Sequence, residues 1–222
     1  MKKLLLPIIT LFVFSFFPGV VFAEVSPLLG KTIVIDAGHG GADPGTTMCT
    51  YIDEDDANLD IAFRLKALLE GTQAGANVVM TRTDDYDMSN EDRYTIANNS
   101  DGHVLVSIHL NGSVDQEKNG TMGLYAKIKK DKAFTTTLHN RLVTSLAPIP
   151  NLGITNFMSG VTLKSEMPAT IQEAVFLSNH DECAAIGNGN GSRQQQIAQA
   201  LFDGLEDWFN AQVIWTPPKR VK

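Results

Sequence analysis

The chain is poor in cysteine, since its 222 residues include only Cys49 and Cys183. Their wide separation in the sequence excludes a C-x-x-C metal-binding motif. In an exported protein, two cysteines are enough for one disulfide. Such a bond needs Cα atoms within about 7 Å of each other, which sequence separation alone does not specify. A disulfide and two unpaired thiols both stay open, and of these we expect two unpaired thiols.

Basic residues are also scarce. The 18 Lys and Arg residues are outnumbered by 25 Asp and Glu residues, which gives a net charge of −7. Nucleic-acid binding relies on clustered Lys and Arg side chains. The basic cluster at residues 219–222 follows two prolines at the extreme C-terminus, where we expect a flexible tail over residues 213–222. The composition therefore argues against nucleic acid as a partner.

The first 23 residues lack acidic side chains. Lys2 and Lys3 precede a mostly apolar run over residues 4–22, and a small-residue cleavage pattern ends at Ala23. These features predict a signal peptide over residues 1–23 and an exported protein, periplasmic or at the cell wall, without a stable membrane anchor. An uncleaved anchor is the alternative, although the run reaches spanning length only if its prolines are counted. No cysteine follows the cleavage pattern closely, so a lipoprotein anchor is not indicated.

The rest of the chain has neither an internal repeat nor a long low-complexity segment. Short β-rich runs alternate with helical ones, which is typical of an α/β fold. We predict a single three-layer domain over residues 24–212, with a mostly parallel central sheet and helices on both faces. The predicted strands are 32–35, 77–80, 104–108, 123–126 and 169–176, and the predicted helices are 54–70, 89–99, 132–146 and 197–208. Residues 104–108 are almost wholly apolar, which favours a central strand, whereas residues 151–168 fit either strand or loop.

Two histidines and a glutamate lie at predicted strand ends. His39 follows the first strand, His109 ends the third, and Glu173 lies within the last. In a parallel sheet these ends share one edge, where α/β proteins place their sites. Two imidazoles and a carboxylate suit a catalytic Zn²⁺ ion, which uses three protein ligands and keeps one position open. Glu54, near the start of a predicted helix, is the available third ligand, which leaves Glu173 as a base.

Each of these residues also has a purely structural interpretation. An acidic residue in the first turn of a helix stabilises the helix dipole. Asp53, Asp55 and Asp56 flank Glu54, so the choice of carboxylate among them stays open. His109 can be a hydrogen-bonded core histidine, and Glu173 can be an ion-pair partner. No local motif such as H-E-x-x-H joins these positions.

Five ordered segments of the chain resemble a known family. Residues 33–45, with the sequence IVIDAGHGGADPG, closely resemble the opening signature of the zinc-dependent N-acetylmuramoyl-L-alanine amidases. The other segments that resemble blocks of this family are 54–69, 81–85 together with 93–98, 107–111, and 167–179. They occur in the family's order and cover nearly all of the mature chain.

The resemblance implies an enzyme. It implies one Zn²⁺ ion held by His39, Glu54 and His109, with Glu173 as the catalytic base. The implied reaction is hydrolysis of the amide bond between N-acetylmuramic acid and L-alanine in peptidoglycan, which releases stem peptides. We expect a monomer that acts on peptidoglycan. Two other functions stay open: a zinc peptidase that acts on stem peptides, and a non-catalytic module that binds the cell wall.

Several features bear on how this chain differs from the family. Residues 47–52 replace a glycine-rich approach to Glu54, and Val175 stands where the family commonly has glycine and could reshape the pocket. Asn111 could contact substrate, orient His109 or form a strand-end turn.

Some relatives carry a long helical insertion that an activator protein displaces. Because residues 110–172 contain one obvious helix, we expect no such insertion here. A peptidase would need a cationic pocket, and the candidates for it are Arg82, Arg93 and Lys164.

Overall fold

The protein is described by a computed structural model that covers residues 25–71 and 73–214, with only the backbone given for 213 and 214. The predicted signal peptide and the C-terminal basic cluster lie outside these residues. Within the described part, no helix has the length and apolar character needed to cross a membrane.

Six strands form one sheet at the centre of the molecule. They are β1 Thr32–Ala37, β2 Asn77–Met80, β3 Val104–Asn111, β4 Thr121–Tyr125, β5 Asn151–Asn156 and β6 Ala169–Phe176. Their order across the sheet is β2-β1-β3-β6-β4-β5. All neighbouring pairs are parallel except β4 and β6, which run antiparallel. The apolar strand β3 is central, as its composition predicts.

Helices cover both faces of the sheet, which confirms the three-layer α/β fold. They are α1 Glu54–Glu70, α2 Asn90–Asn99, α3 Lys132–Ser145, α4 Gly160–Lys164, α5 His180–Gly187 and α6 Ser192–Ile214. A large apolar core joins one sheet face to α1, α3, α5 and α6. A smaller one joins the other face to α2 and α4. Burial of these two apolar interfaces is the main force that holds the layers together.

A local side-chain signal explains where helix α2 begins. The Ser89 hydroxyl accepts a hydrogen bond from the Asp92 amide, and the Asp92 carboxylate accepts one from the Ser89 amide. This reciprocal capping box fixes the start of α2, as predicted. Residues 151–168 hold strand β5 and the short helix α4. Helix α5 has no counterpart among the predicted elements, because its eight residues show no clear apolar periodicity.

The two cysteines form a disulfide, so the prediction of unpaired thiols is wrong. The Cα atoms of Cys49 and Cys183 lie 5.3 Å apart and their sulfur atoms are bonded. The bond attaches residues 47–52, which lead to α1, to helix α5. Tyr51 packs so closely on Gly187 that a Cβ atom there would lie 2.3 Å from the Tyr51 Cβ. This tertiary contact brings together two cysteines that are 134 positions apart in sequence.

Candidate metal centre and active site

Parallel register brings three strand ends to one edge of the sheet. Ala37 of β1 lies opposite Ile108 of β3, and His109 of β3 lies opposite Glu173 of β6. His39 follows β1 by two residues, so its side chain comes beside that of His109. The two imidazole rings meet edge to face, with their centroids 4.8 Å apart. The sheet therefore collects the predicted residues along its carboxyl edge.

The side chains of His39, Glu54 and His109 converge on one point. One donor atom from each lies within 4.8 Å of the other two. The Oε1 atom of Glu54 is 3.2 Å from Nε2 of His39 and 3.3 Å from Nδ1 of His109. Among the four acidic residues at positions 53–56, Glu54 is the one that belongs to this cluster. Two nitrogen donors and one carboxylate form a set that suits Zn²⁺.

Glu54 is held in place by hydrogen bonds to both carboxylate oxygens. Oε1 accepts from the amide of Leu110 at 3.0 Å and from the side-chain amide of Asn58 at 3.3 Å. Oε2 accepts from the amide of Thr46 at 3.0 Å. Burial raises the pKa of Glu54, but hydrogen bonds and charge from His109 and His39 outweigh it and hold the pKa well below its usual range. The carboxylate is therefore ionised and fixed at the first turn of α1.

Backbone geometry places His39. Its φ of 61° lies in the left-handed region, where a residue with a Cβ atom is strained. Its Nδ1 lies 2.9 Å from Oδ2 of Asp43, which turns Nε2 towards Glu54. Burial lowers the pKa of His39, but the hydrogen bonds and charges of Glu54 and Asp43 raise it to about 9. Sequence reasoning missed the role of Asp43, although its spacing of four residues from His39 within the glycine-rich stretch was a usable signal.

His109 packs against the backbone that precedes His39. A Cβ atom on Gly38 would lie 2.3 Å from Cε1 of the His109 ring, so this position accepts no larger residue without movement. Burial lowers the pKa of His109, but Glu54 and Glu173 outweigh it and raise the pKa above its usual value. The glycine in the signature thus has a packing reason, which is the close approach of a ring.

Glu173 lies beside the cluster without belonging to it. The residue is partly buried, and its buried Oε2 atom has no hydrogen-bond partner among the described residues. Burial raises the pKa of Glu173 to about 7, although the positive charge of His109 opposes the shift. A carboxyl group with this pKa exchanges its proton readily near neutral pH. It faces the same cleft as His39 and His109.

The cleft has a polar end and an apolar wall. Its volume is about 290 Å³, and it lies on the sheet face that α2 and α4 cover. The apolar wall is formed by Leu124, Phe157, Val161 and Ile171. Val175 is buried in the core of the opposite face and does not line the cleft. Helix α3, the helix predicted in the interval after His109, packs against α6 on that opposite face as well.

Two buried arginines support the loop that carries His39. Arg93 donates to Asp36 at 2.9 Å, to the Ala37 carbonyl at 2.7 Å and to the His39 carbonyl at 2.8 Å. Arg82 donates to backbone carbonyls only. Lys164 is exposed and does not line the cleft. Of the three candidate cations, both arginines are therefore engaged in hydrogen bonds, and Lys164 does not line the cleft.

Asn111 forms a local turn at the end of β3. Its side-chain oxygen accepts from the Gly112 amide at 2.9 Å, and its carbonyl accepts from the Leu177 amide at 2.9 Å. The pairing register between β3 and β6 shifts between His109 and this residue. Of its three predicted roles, the structure favours the strand-end turn.

The fold and the site together define the class of protein. A mostly parallel sheet carries two histidines, a fixed carboxylate and a further carboxylate at one edge, and three of these side chains could hold a metal ion. Residues 33–207 match the family described as N-acetylmuramoyl-L-alanine amidase, and the chain belongs to this family.

Individual relatives agree with this family. The chain is 32% identical over 188 residues to a probable cell wall amidase, LytH, of Staphylococcus epidermidis, covering 84% of this chain and 61% of LytH. It is similar to the catalytic domain of the amidase CwlV from Bacillus (Paenibacillus) polymyxa, with a TM-score of 0.75 and 31% identity over 81% of this chain and 98% of that one. It is also similar to CwlD of Clostridioides difficile in complex with the GerS lipoprotein, with a TM-score of 0.71, 28% identity, and coverage of 82% and 100%.

Proposed function

We propose that the protein hydrolyses the amide bond between N-acetylmuramic acid and L-alanine in peptidoglycan, with one Zn²⁺ ion held by His39, Glu54 and His109. The observation that carries this proposal is the convergence of the three donor atoms within 4.8 Å beside Glu173, whose Oε2 atom is buried. Family membership supports the reaction type. LytH, described as a probable cell wall amidase, supports action at the cell wall.

The residues of the cluster fit a zinc ion. Two imidazole nitrogens and one carboxylate make the three-ligand set of catalytic zinc sites. Asp43 accepts from His39 and thereby fixes its ring, as a carboxylate commonly does for a histidine that binds zinc. When bound at such a site, zinc lowers the pKa of water and polarises a carbonyl group.

Glu173 is proposed to move the proton during hydrolysis. As the water oxygen attacks the lactyl carbonyl carbon, the Glu173 carboxylate takes the proton that the water loses. The carbon–nitrogen bond then breaks, and Glu173 returns that proton to the amine nitrogen of L-alanine. A pKa of about 7 suits both directions of transfer at neutral pH. The apolar wall of the cleft helps to exclude bulk water from this exchange.

The alternative of a stem-peptide carboxypeptidase has less support. Recognition of a terminal carboxylate needs a free cation in the pocket. Arg93 lines the cleft, but its guanidinium already donates to Asp36 and to backbone carbonyls. Arg82 is buried and Lys164 does not line the cleft. The absence of a free cationic side chain from the described lining favours an internal amide bond over a bond next to a free carboxylate.

The proposed location is outside the cytoplasmic membrane, because the substrate is there and because residues 1–23 predict a signal peptide. A partner protein is also compatible with the family, since the structure of CwlD is of its complex with the GerS lipoprotein. The cleft is lined by residues of α2, α4 and strand ends, whereas α3 packs on the other sheet face. This arrangement supports activity without displacement of an inhibitory helix.

Digestion of purified peptidoglycan tests the proposed reaction. The protein with residues 1–23 removed is incubated with sacculi, with and without a chelator, and the fragments are identified by mass spectrometry. We expect free lactyl carboxyl groups on muramic acid and free L-alanine amino ends, formed only when zinc is present. His39→Ala should abolish both, whereas His180→Ala, a change at an exposed histidine, should not. Cleavage between two amino acids of the stem would instead support the peptidase.

A further inference from the structure

Arg82 is the largest fully buried side chain in the described part of the protein. Its guanidinium has no carboxylate within salt-bridge distance among the described residues, which is unusual for a buried cation. It donates to four backbone carbonyl oxygens: Ala37 at 2.9 Å, Gly38 at 2.9 Å, Asp55 at 2.7 Å and Asp84 at 3.3 Å. A buried arginine that only binds main chain fixes the backbone segments it connects.

The connected segments are the two that carry neighbouring donor residues of the cluster. Ala37 and Gly38 lead directly into His39, and Asp55 directly follows Glu54. One nitrogen, Nη2, donates to both segments, at 2.9 Å to Gly38 and at 2.7 Å to Asp55. A single side chain therefore spans the gap between the end of β1 and the start of α1.

The hydrogen bonds of Arg82 also act on the strained backbone of His39. The φ of 61° at His39 depends on the orientation of the peptide plane on each side of it. Arg82 binds the Gly38 carbonyl, on the amino side of His39, and Arg93 binds the His39 carbonyl, on the carboxyl side. Hydrogen bonds from charged donors to both planes offset the cost of this conformation.

We propose that Arg82 is a positioning residue that sets the distance between His39 and Glu54, and thereby the affinity of the site for its metal ion. The inference rests on the metal site described under Proposed function. The planar guanidinium presents five N–H donors in a fixed fork, whereas a lysine ammonium is a point charge with three donors. A lysine at position 82 keeps the charge but does not reproduce the three hydrogen bonds directed at the two segments that carry His39 and Glu54.

The test compares Arg82→Lys with the parent protein and with a matched control, Arg141→Lys. Arg141 forms a surface ion pair with Asp207. The pair joins α3 to α6, on the sheet face opposite to the cleft. Zinc affinity is measured on the folded, metal-free proteins by competition with a chelator, and folding is checked by circular dichroism. We expect Arg82→Lys to lower the affinity about 10- to 100-fold, the range typical when a group that orients a metal ligand is changed. Arg141→Lys should bind as the parent does.

Native affinity in a folded Arg82→Lys protein would overturn the proposal, even if its melting temperature fell, because a purely structural role changes only the stability. A second measurement needs no variant. In the parent protein labelled with nitrogen-15, the Arg82 Nε–H should exchange with solvent more slowly after Zn²⁺ is added, since coupling between two sites is reciprocal. Equal exchange rates with and without zinc would also overturn it. If the parent binds no zinc at all, the proposed function fails instead, so the two failures are distinguishable.

Discussion

His109 and Glu173 lie directly opposite each other on the neighbouring parallel strands β3 and β6. His109 contributes a nitrogen atom to the cluster with Glu54, whereas Glu173 stays outside it, and its buried Oε2 atom has no hydrogen-bond partner within the described part of the chain. One step across the sheet thus separates a candidate metal ligand from a candidate base. Because helices pack on both faces of these strands, this separation is fixed. The two carboxylates also differ in their pKa, which is lowered for Glu54 and raised for Glu173.

Glu173→Gln should reduce the rate of amide hydrolysis by about 10²- to 10⁴-fold, the range expected when a general base is lost. The amide has nearly the same shape, so the cluster should keep its zinc, as measured by elemental analysis. Glu166→Gln, a change at an exposed glutamate, is the control and should leave both properties unchanged. A Glu173→Gln protein with the parental rate would show that another group moves the proton.

Glu54→Gln should lower zinc affinity more than about 100-fold, because loss of a ligand exceeds the effect of changing a group that only orients one. The neutral amide also leaves the histidines without the charge that now attracts the metal. Asp56→Asn is the matched control, since Asp56 lies in the same first turn of α1 but is exposed. Competition with a chelator measures the zinc affinity of both variants. Equal affinities would assign the carboxylate ligand to another residue.

Zinc affinity should rise steadily as the pH increases from about 6.5 to 9. In the metal-free protein the pKa of His39 is raised to about 9, so a proton must leave this ring before the metal binds. Each displaced proton gives about a tenfold gain in affinity per pH unit, and the gain stops once the pH exceeds the pKa. A histidine with an ordinary pKa would reach its plateau near pH 6.5.

Asp43→Asn provides the comparison for this pH dependence. It removes one of the two carboxylates that raise the pKa of His39, so the plateau should be reached at a lower pH. The dissociation constant is measured by isothermal titration calorimetry at half-unit pH steps. An affinity that is constant between pH 7 and pH 9 in the parent protein would contradict the raised pKa.

Removal of the disulfide should destabilise the protein. The bond between Cys49 and Cys183 closes a loop of 134 positions, and the loss of such a long cross-link costs about 2–5 kcal/mol in the free energy of unfolding. A Cys49→Ser, Cys183→Ser double variant should therefore unfold at a lower denaturant concentration. Adding a reductant should lower the midpoint of the parent to the same value and leave that of the variant unchanged. Equal midpoints for parent and variant would mean that the bond does not form in solution.

Much of the fold was predictable because its signals are local. Each predicted strand has a counterpart in the sheet, and residues 169–176 have the same bounds in both. The capping box at Ser89 and Asp92 is set by side chains three residues apart. Residues 151–168 and helix α5 were not resolved from sequence, since short elements without apolar periodicity take their structure from the neighbours they pack on.

The amino-acid sequence by itself determined the strands, the main helices and the family signature that names His39, Glu54, His109 and Glu173. Only the tertiary structure brought Glu54 beside both histidines, paired Cys49 with Cys183, and placed Arg82 between the two segments that carry the cluster. The physical reason is the range of each interaction. Periodicity and capping act over a few residues, whereas a shared ion site, a disulfide and a buried guanidinium depend on the register and packing of segments that are distant in sequence.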